Sequence, residues 1–136
     1  MPCNAVATVN GGVTDEALRR LLEQNAEQVQ AAVTSYLEQR LLGSTTAAYN
    51  TNGGFALRVS LGYQWFDLRV QGGAVTITTA PANRATADQL TSELTDLMTM
   101  LGQQLFEQAV ADFITTNYSV EQSQRVDDQL VITFNI

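Results

Sequence analysis

A chain of 136 residues, 45% of them hydrophobic, is long enough for one domain with a real core. Seven basic residues against fourteen acidic ones leave a net charge of −7, which repels phosphate backbones and argues against a nucleic-acid binder. The complete absence of histidine removes Ser-His and Cys-His nucleophile activation, His-ligated metals and the usual proton shuttle.

No apolar run approaches the roughly 18 residues of a membrane span. The N-terminus lacks a basic region followed by an apolar core, so a secretory signal is not expected and the cytoplasm is the expected location. With Cys3 alone, no intrachain disulfide can form. A carboxylate-only metal site survives in principle, but no EF-hand loop is present, and neither metal nor cofactor is expected. Arg19–Arg20 is the only adjacent basic pair, and helix formation would put it on a solvent face.

Residues 3–9 (CNAVATV) alternate weakly and predict a short strand, ended by Asn10-Gly11-Gly12, where positive φ is easily adopted. Thr14 then reads as an N-cap, with Asp15 and Glu16 favouring the positive end of a helix dipole. Leu18, Leu21 and Leu22 form an apolar stripe. The pattern weakens over residues 23–28, and Asn25 with Gln28 loosely fits a capping box. A second helix over about 26–42 is expected, its face carrying Val29, Ala32, Val33, Tyr36, Leu37 and Leu41. One continuous helix over 14–42 is the competing reading. Residues 43–54 (GSTTAAYNTNGG) read as an exposed, mobile connector.

Residues 54–79 are the centre of the chain, with the single tryptophan and the only long strand periodicity. Phe55, Leu57, Val59 and Leu61 share a face. After Gly62 the parity flips to Phe66, Leu68 and Val70. A one-residue shift turns every side chain over, so Gly62 marks a bulge or, in the favoured reading, a tight turn over 60–63. Gln71-Gly72-Gly73 predicts a second hairpin, returning through residues 74–79 with Val75 and Ile77 inward.

Thr86 with Gln89 is another capping-box spacing. A long helix is expected to about Thr116, with Leu90, Leu94, Leu97, Met98, Leu101, Leu105, Ala109 and Phe113 as a core stripe. Gly102 interrupts it at a cost of about 1 kcal/mol relative to alanine, to allow close packing on the sheet or a slight bend. Asn117 ends it, and residues 118–125 and 130–136 predict a final hairpin around Asp127-Asp128. The whole reads as a single α+β domain over residues 1–136, a largely antiparallel sheet with helices on one face, in the order β-α-α-β-β-β-α-β-β. About 30 helical residues span roughly 45 Å. A compact domain of this length is only about 37 Å across, so the helix would overhang, bend at Gly102, fray or meet a partner.

Isolated candidates for chemistry mostly read as structure. Asp15-Glu16 start a helix, and Asp127-Asp128 make a turn. Glu93 and Asp96 lie on a solvated helix face. The glycine pairs at 11–12, 53–54 and 72–73 lack nucleotide-loop spacing. Cys3 has no basic neighbour to lower its pKa. Pro2 follows Met1 in a context where the initiator is usually removed, and a terminal proline amine can act as a base.

Met1-Pro2, a short strand and Thr14-Asp15-Glu16 resemble the opening of the tautomerase superfamily over about the first 35 residues. That resemblance implies Pro2 as the general base. The family usually places an arginine beside its proline; Asn10-Gly11-Gly12 offers none at the strand end, and the enzyme reading implies a pocket at Pro2 lined by a cationic group such as Arg58 or Arg69. A second resemblance covers more of the chain. The N-terminal strand-helix unit, the Gly62-Tyr63 strand with its glycine-turn hairpin, the long helix, Asn117-Tyr118-Ser119-Val120 and the terminal Leu130-Val131-Ile132-Thr133 strand are similar to a family of small proteins of cyanobacteria and plastids, known as a hypothetical chloroplast reading frame. It implies no known catalysis, no transferable site residue, and a companion role near an AAA-type ATPase. The sequence therefore predicts a non-enzymatic, self-associating adaptor or assembly protein, touching its partners through a sheet edge or the end of the last helix. The alternative is a tautomerase-like enzyme built on Pro2.

Overall fold

The computed structural model describes residues 5–51, 54–127 and 129–135. Its elements are β1 (Ala7–Gly12), α1 (Glu16–Gln24), α2 (Ala26–Arg40), β2 (Thr45–Thr51), β3 (Gly54–Leu61), β4 (Gln64–Gln71), β5 (Ala74–Thr79), α3 (Arg84–Asn117), β6 (Ser119–Val126) and β7 (Gln129–Asn135). This is an α+β fold with a five-stranded sheet in the order β1-β5-β4-β3-β2 and a separate β6-β7 hairpin. Every pairing is antiparallel. The chain divides into two compact units, Met1–Gly102 and Gln103–Ile136, and α3 contributes to both.

The period-two alternation sets the core of the first unit. Phe55, Leu57 and Val59 of β3 stand opposite Val70, Leu68 and Phe66 of β4, and all six are buried. Val75, Ile77 and Thr79 of β5 continue the same face. Against it lie the helical stripes: Leu22 of α1, Val29, Val33 and Leu37 of α2, and Leu90, Leu94 and Met98 of α3, all buried. Each such side chain, fully withdrawn from water, contributes about 1.5–3 kcal/mol before entropy is counted. The buried threonine of this sheet face is partnered: Thr79 Oγ1 donates to the Trp65 carbonyl at 2.6 Å.

Glycine lets α3 approach the edge strand β1. A Cβ on Gly11 would fall 2.5 Å from Thr91 Cγ2 and 3.2 Å from Thr95 Oγ1. Thr91, Thr95 and Thr99 each donate to the carbonyl four residues earlier, which keeps this face of the helix free of unpaired hydroxyls.

Both hairpin turns form where their glycines require. Gly62 alone has positive φ (61°) in the β3–β4 turn, which suits a type II′ loop. Gly72 and Gly73 both do (53° and 86°), which suits type I′ between β4 and β5. The parity flip at Gly62 is thus a turn.

Several local expectations are corrected. Asn10-Gly11-Gly12 does not end β1 but forms its second half, paired with residues 74–76 of β5. The N-cap of α1 is Asp15, whose Oδ1 accepts from the Leu18 N–H at 3.1 Å; its carboxylate outcompetes the Thr14 hydroxyl one residue earlier. The helix does break at Asn25, but that residue caps backwards: its Nδ2 donates to the Leu21 carbonyl at 2.8 Å. It makes no side-chain cap for α2. Thr86–Gln89 is no capping box, because α3 already begins at Arg84 after a 3-10 turn over Pro81–Asn83. Gly102 admits α1 and not the sheet, since a Cβ there would lie 3.1 Å from Leu18 Cβ.

Two larger corrections concern whole segments. Residues 45–51, expected as a loop, are strand β2, so the described chain has seven strands where six were predicted, five in the main sheet and two in the β6-β7 hairpin. The apolar stripe of α3 is core only through Met98; Ala109 and Phe113 are exposed.

Candidate interaction surfaces

Three surfaces emerge from this arrangement. The first is the sheet face turned away from the buried layer. Odd and even positions alternate, so residues opposite to the core set share it: Ala47 and Tyr49 of β2, Ala56 and Arg58 of β3, Trp65, Asp67 and Arg69 of β4, and Thr76 and Thr78 of β5. Arg58 and Asp67 are direct cross-strand partners, with Nε 3.3 Å from Oδ1. The same guanidinium sits 5.7 Å from the Trp65 ring centroid. Both ends of the ion pair are about half exposed, so it orients side chains more than it stabilises the fold. Arg69 is exposed and has no ion-pair partner among the described residues. A shallow depression of about 440 Å³ lies between Tyr49, Ala56, Arg58, Asp67, Arg69 and Thr78.

The second surface is the outer edge of β2. Among the described residues it pairs with β3 alone, from Thr45↔Ser60 to Thr51↔Gly54, and its other side meets no strand. The strand TTAAYNT holds no charge, no proline and no bulge, which are the usual protections of an exposed edge. The hydroxyls of Ser44, just before the strand, and of Thr46 within it are buried without a hydrogen-bond partner among the described residues.

The third surface belongs to Gln103–Ile136. In this unit Leu130 and Ile132 of β7 line an apolar groove of about 300 Å³ with Phe106, Glu107, Val110 and Ile114 of α3. Arg125 of β6 pairs with Glu107 at 2.8 Å, and Phe113 meets Tyr118 edge-on with centroids 6.4 Å apart. Yet no described residue from 103 to 133 is buried, and Phe106 and Phe113 are 51% and 61% exposed. A hairpin on one helical segment of this size has too little apolar area to close a core alone.

The residues singled out for chemistry do not converge among the described residues. Met1, Pro2 and Cys3 lie outside the described residues, as do Gly53, Asp128 and Ile136. Arg58 and Arg69, the cations implied beside Pro2, stand on the open sheet face. Asp15 is the helix cap, Glu16 pairs with Arg20, and Asp127 turns the last hairpin with φ 51°. Glu93 is more than a solvated carboxylate: Arg40 Nε reaches its two oxygens at 3.1 and 3.2 Å, tying α2 to α3. Tyr36 stands beside this pair. Burial raises its pKa above the usual tyrosine value, the Glu93 carboxylate adds to that, and Arg40 opposes it. No group of three or more potential metal-ligating side chains occurs among the described residues. Among them, no helix is long and apolar enough to cross a membrane.

No family model, curated protein or solved structure matches this chain.

Proposed function

We propose that this is a non-enzymatic binding protein, an adaptor or assembly subunit that works through protein–protein contacts and self-associates. The observation that carries this reading is the unit Gln103–Ile136: its described residues include Phe106, Val110, Ile114, Leu130 and Ile132, and none of them is buried. Exposed apolar surface of this kind marks a contact site, because its withdrawal from water is the main favourable term in association. An AAA-type ATPase, the partner implied by the resemblance to the plastid and cyanobacterial family, is one protein that such a surface would serve.

The test is molar mass by light scattering over a wide concentration range. Species heavier than the 14.8 kDa chain are expected, with a weight average that rises with concentration. The double variant Phe106→Asp, Phe113→Asp should leave the melting of the buried Met1–Gly102 core unchanged in dilute protein, since neither side chain belongs to that core, and should lose the largest species. A strict monomer up to several hundred micromolar would sink the reading.

A further inference from the structure

Resting on the self-association proposed above, we infer that β2 is the surface through which two copies pair, edge to edge and antiparallel, about a two-fold axis at Ala48. Centred on Ala48, the pairing engages the full length of the strand and sets no charged side chain against another. Turned about Ala48, Thr45 meets Thr51 of the second copy, Thr46 meets Asn50, Ala47 meets Tyr49 and Ala48 meets Ala48, so all seven positions find a partner. No register centred on another residue pairs the full strand. Backbone donors and acceptors on the free side of β2 would then complete their ladder, as the other side does with β3.

Charge and size make this edge the place where a second copy is least opposed. Each chain carries −7, so copies repel, but β2 contains none of the fourteen acidic residues and brings no like charges into contact. At the axis, two alanines allow close approach. On the open face, Tyr49 is 59% exposed with Ala56 beside it on β3. In the pair its other neighbour is Ala47 of the second copy, whose own β3 neighbour is Arg58. The small Ala47 leaves room for the phenol ring against the Arg58 stem, a cross-strand contact that neither chain makes alone. The other edge strand, β1, is a poorer candidate. Its second half is Asn10-Gly11-Gly12, and Gly12 has φ 142°, which departs from regular strand geometry.

Disulfide trapping reads the register directly. In a Cys3→Ser background, Ala48→Cys places two thiols directly opposite across the axis. Opposed Cα atoms in an antiparallel pair lie about 4.5–5.5 Å apart, within disulfide range. Ala47→Cys puts each thiol opposite Tyr49 of the other copy and beyond reach of its equivalent. Under mild oxidation Ala48→Cys should give covalent dimer at least ten times faster than Ala47→Cys. Separately, Ala48→Lys, which sets two ammonium groups face to face at an exposed position, should reduce the dimer at least tenfold by sedimentation while leaving the melting temperature of dilute protein unchanged. If wild type dimerises but Ala48→Cys links no faster than Ala47→Cys and Ala48→Lys dimerises normally, β2 is not the interface, and the assembly reading survives through the 103–136 surface. If wild type is a monomer at all concentrations, both fall together.

Discussion

At the scale of single residues, the strongest constraints sit on glycines where backbones meet. Gly12 has φ 142°, and a Cβ there would overlap the Gly73 carbonyl and come within 2.7 Å of Ala74 Cα. Both obstacles are backbone of the paired strand β5 and its turn, so nothing can swing aside. Gly62 also has positive φ (61°), but a Cβ there meets nothing within 4 Å. Gly12→Ala should therefore cost about 2–4 kcal/mol, the sum of a conformational and a steric penalty, and Gly62→Ala only about 1 kcal/mol, the conformational part. Urea unfolding followed by the fluorescence of Trp65 measures both. Equal losses at the two positions would mean that β1 does not lie against the β4–β5 turn as described.

At the scale of elements, what the sequence disclosed depended on how many sides of each element are buried. Strands β3, β4 and β5 were legible because one face is packed and the other wet, so Phe55-Leu57-Val59 and Phe66-Leu68-Val70 alternate cleanly. The turns at Gly62 and Gly72-Gly73 were legible for the same reason: the parity change and the paired glycines each demand them. Strand β2 was not legible. As the exposed edge it has no buried side chain among its described residues, so TTAAYNT shows no alternation, and its flanking Gly43 and Asn52-Gly53 read as loop punctuation. The threonines and Tyr49, good strand formers, were the available signal. The over-long core stripe of α3 failed in the opposite way. Leu105, Ala109 and Phe113 keep helical spacing beyond Met98, but spacing records which face is apolar and not whether anything covers it. That difference has a measurable consequence. Amide exchange should be slowest in β4 and β5, each flanked by strands on both sides, and orders of magnitude faster in β6 and β7, where no described residue is buried. Raising protein concentration should slow exchange in β2 or in residues 103–135 while leaving β4 unchanged. Concentration-independent exchange in both segments would argue against either as a contact.

At the scale of the whole molecule, charge decides how association responds to the solution. All seven basic residues are arginines, and Arg20, Arg40, Arg58 and Arg125 are already paired within the chain with Glu16, Glu93, Asp67 and Glu107. Few cations remain to bridge two copies, while each copy brings a charge of −7. If the contact is the uncharged edge β2, the only long-range electrostatic contribution to pairing is repulsion, and salt can only relieve it. The screening length falls from about 30 Å at 0.01 M salt to about 10 Å at 0.1 M, so most of the relief should come below physiological ionic strength. The dimer dissociation constant is therefore expected to fall several-fold over that range and then level off. Lowering the pH toward the isoelectric point near 4.3 should act in the same direction by removing carboxylate charge. An interface built on the open sheet face, with Arg58 and Arg69 meeting carboxylates of the other copy, would show the opposite trend, because salt weakens inter-chain ion pairs. Sedimentation equilibrium at low and moderate salt distinguishes the two: association that weakens as sodium chloride is added would move the contact from the neutral edge to the arginine-bearing face.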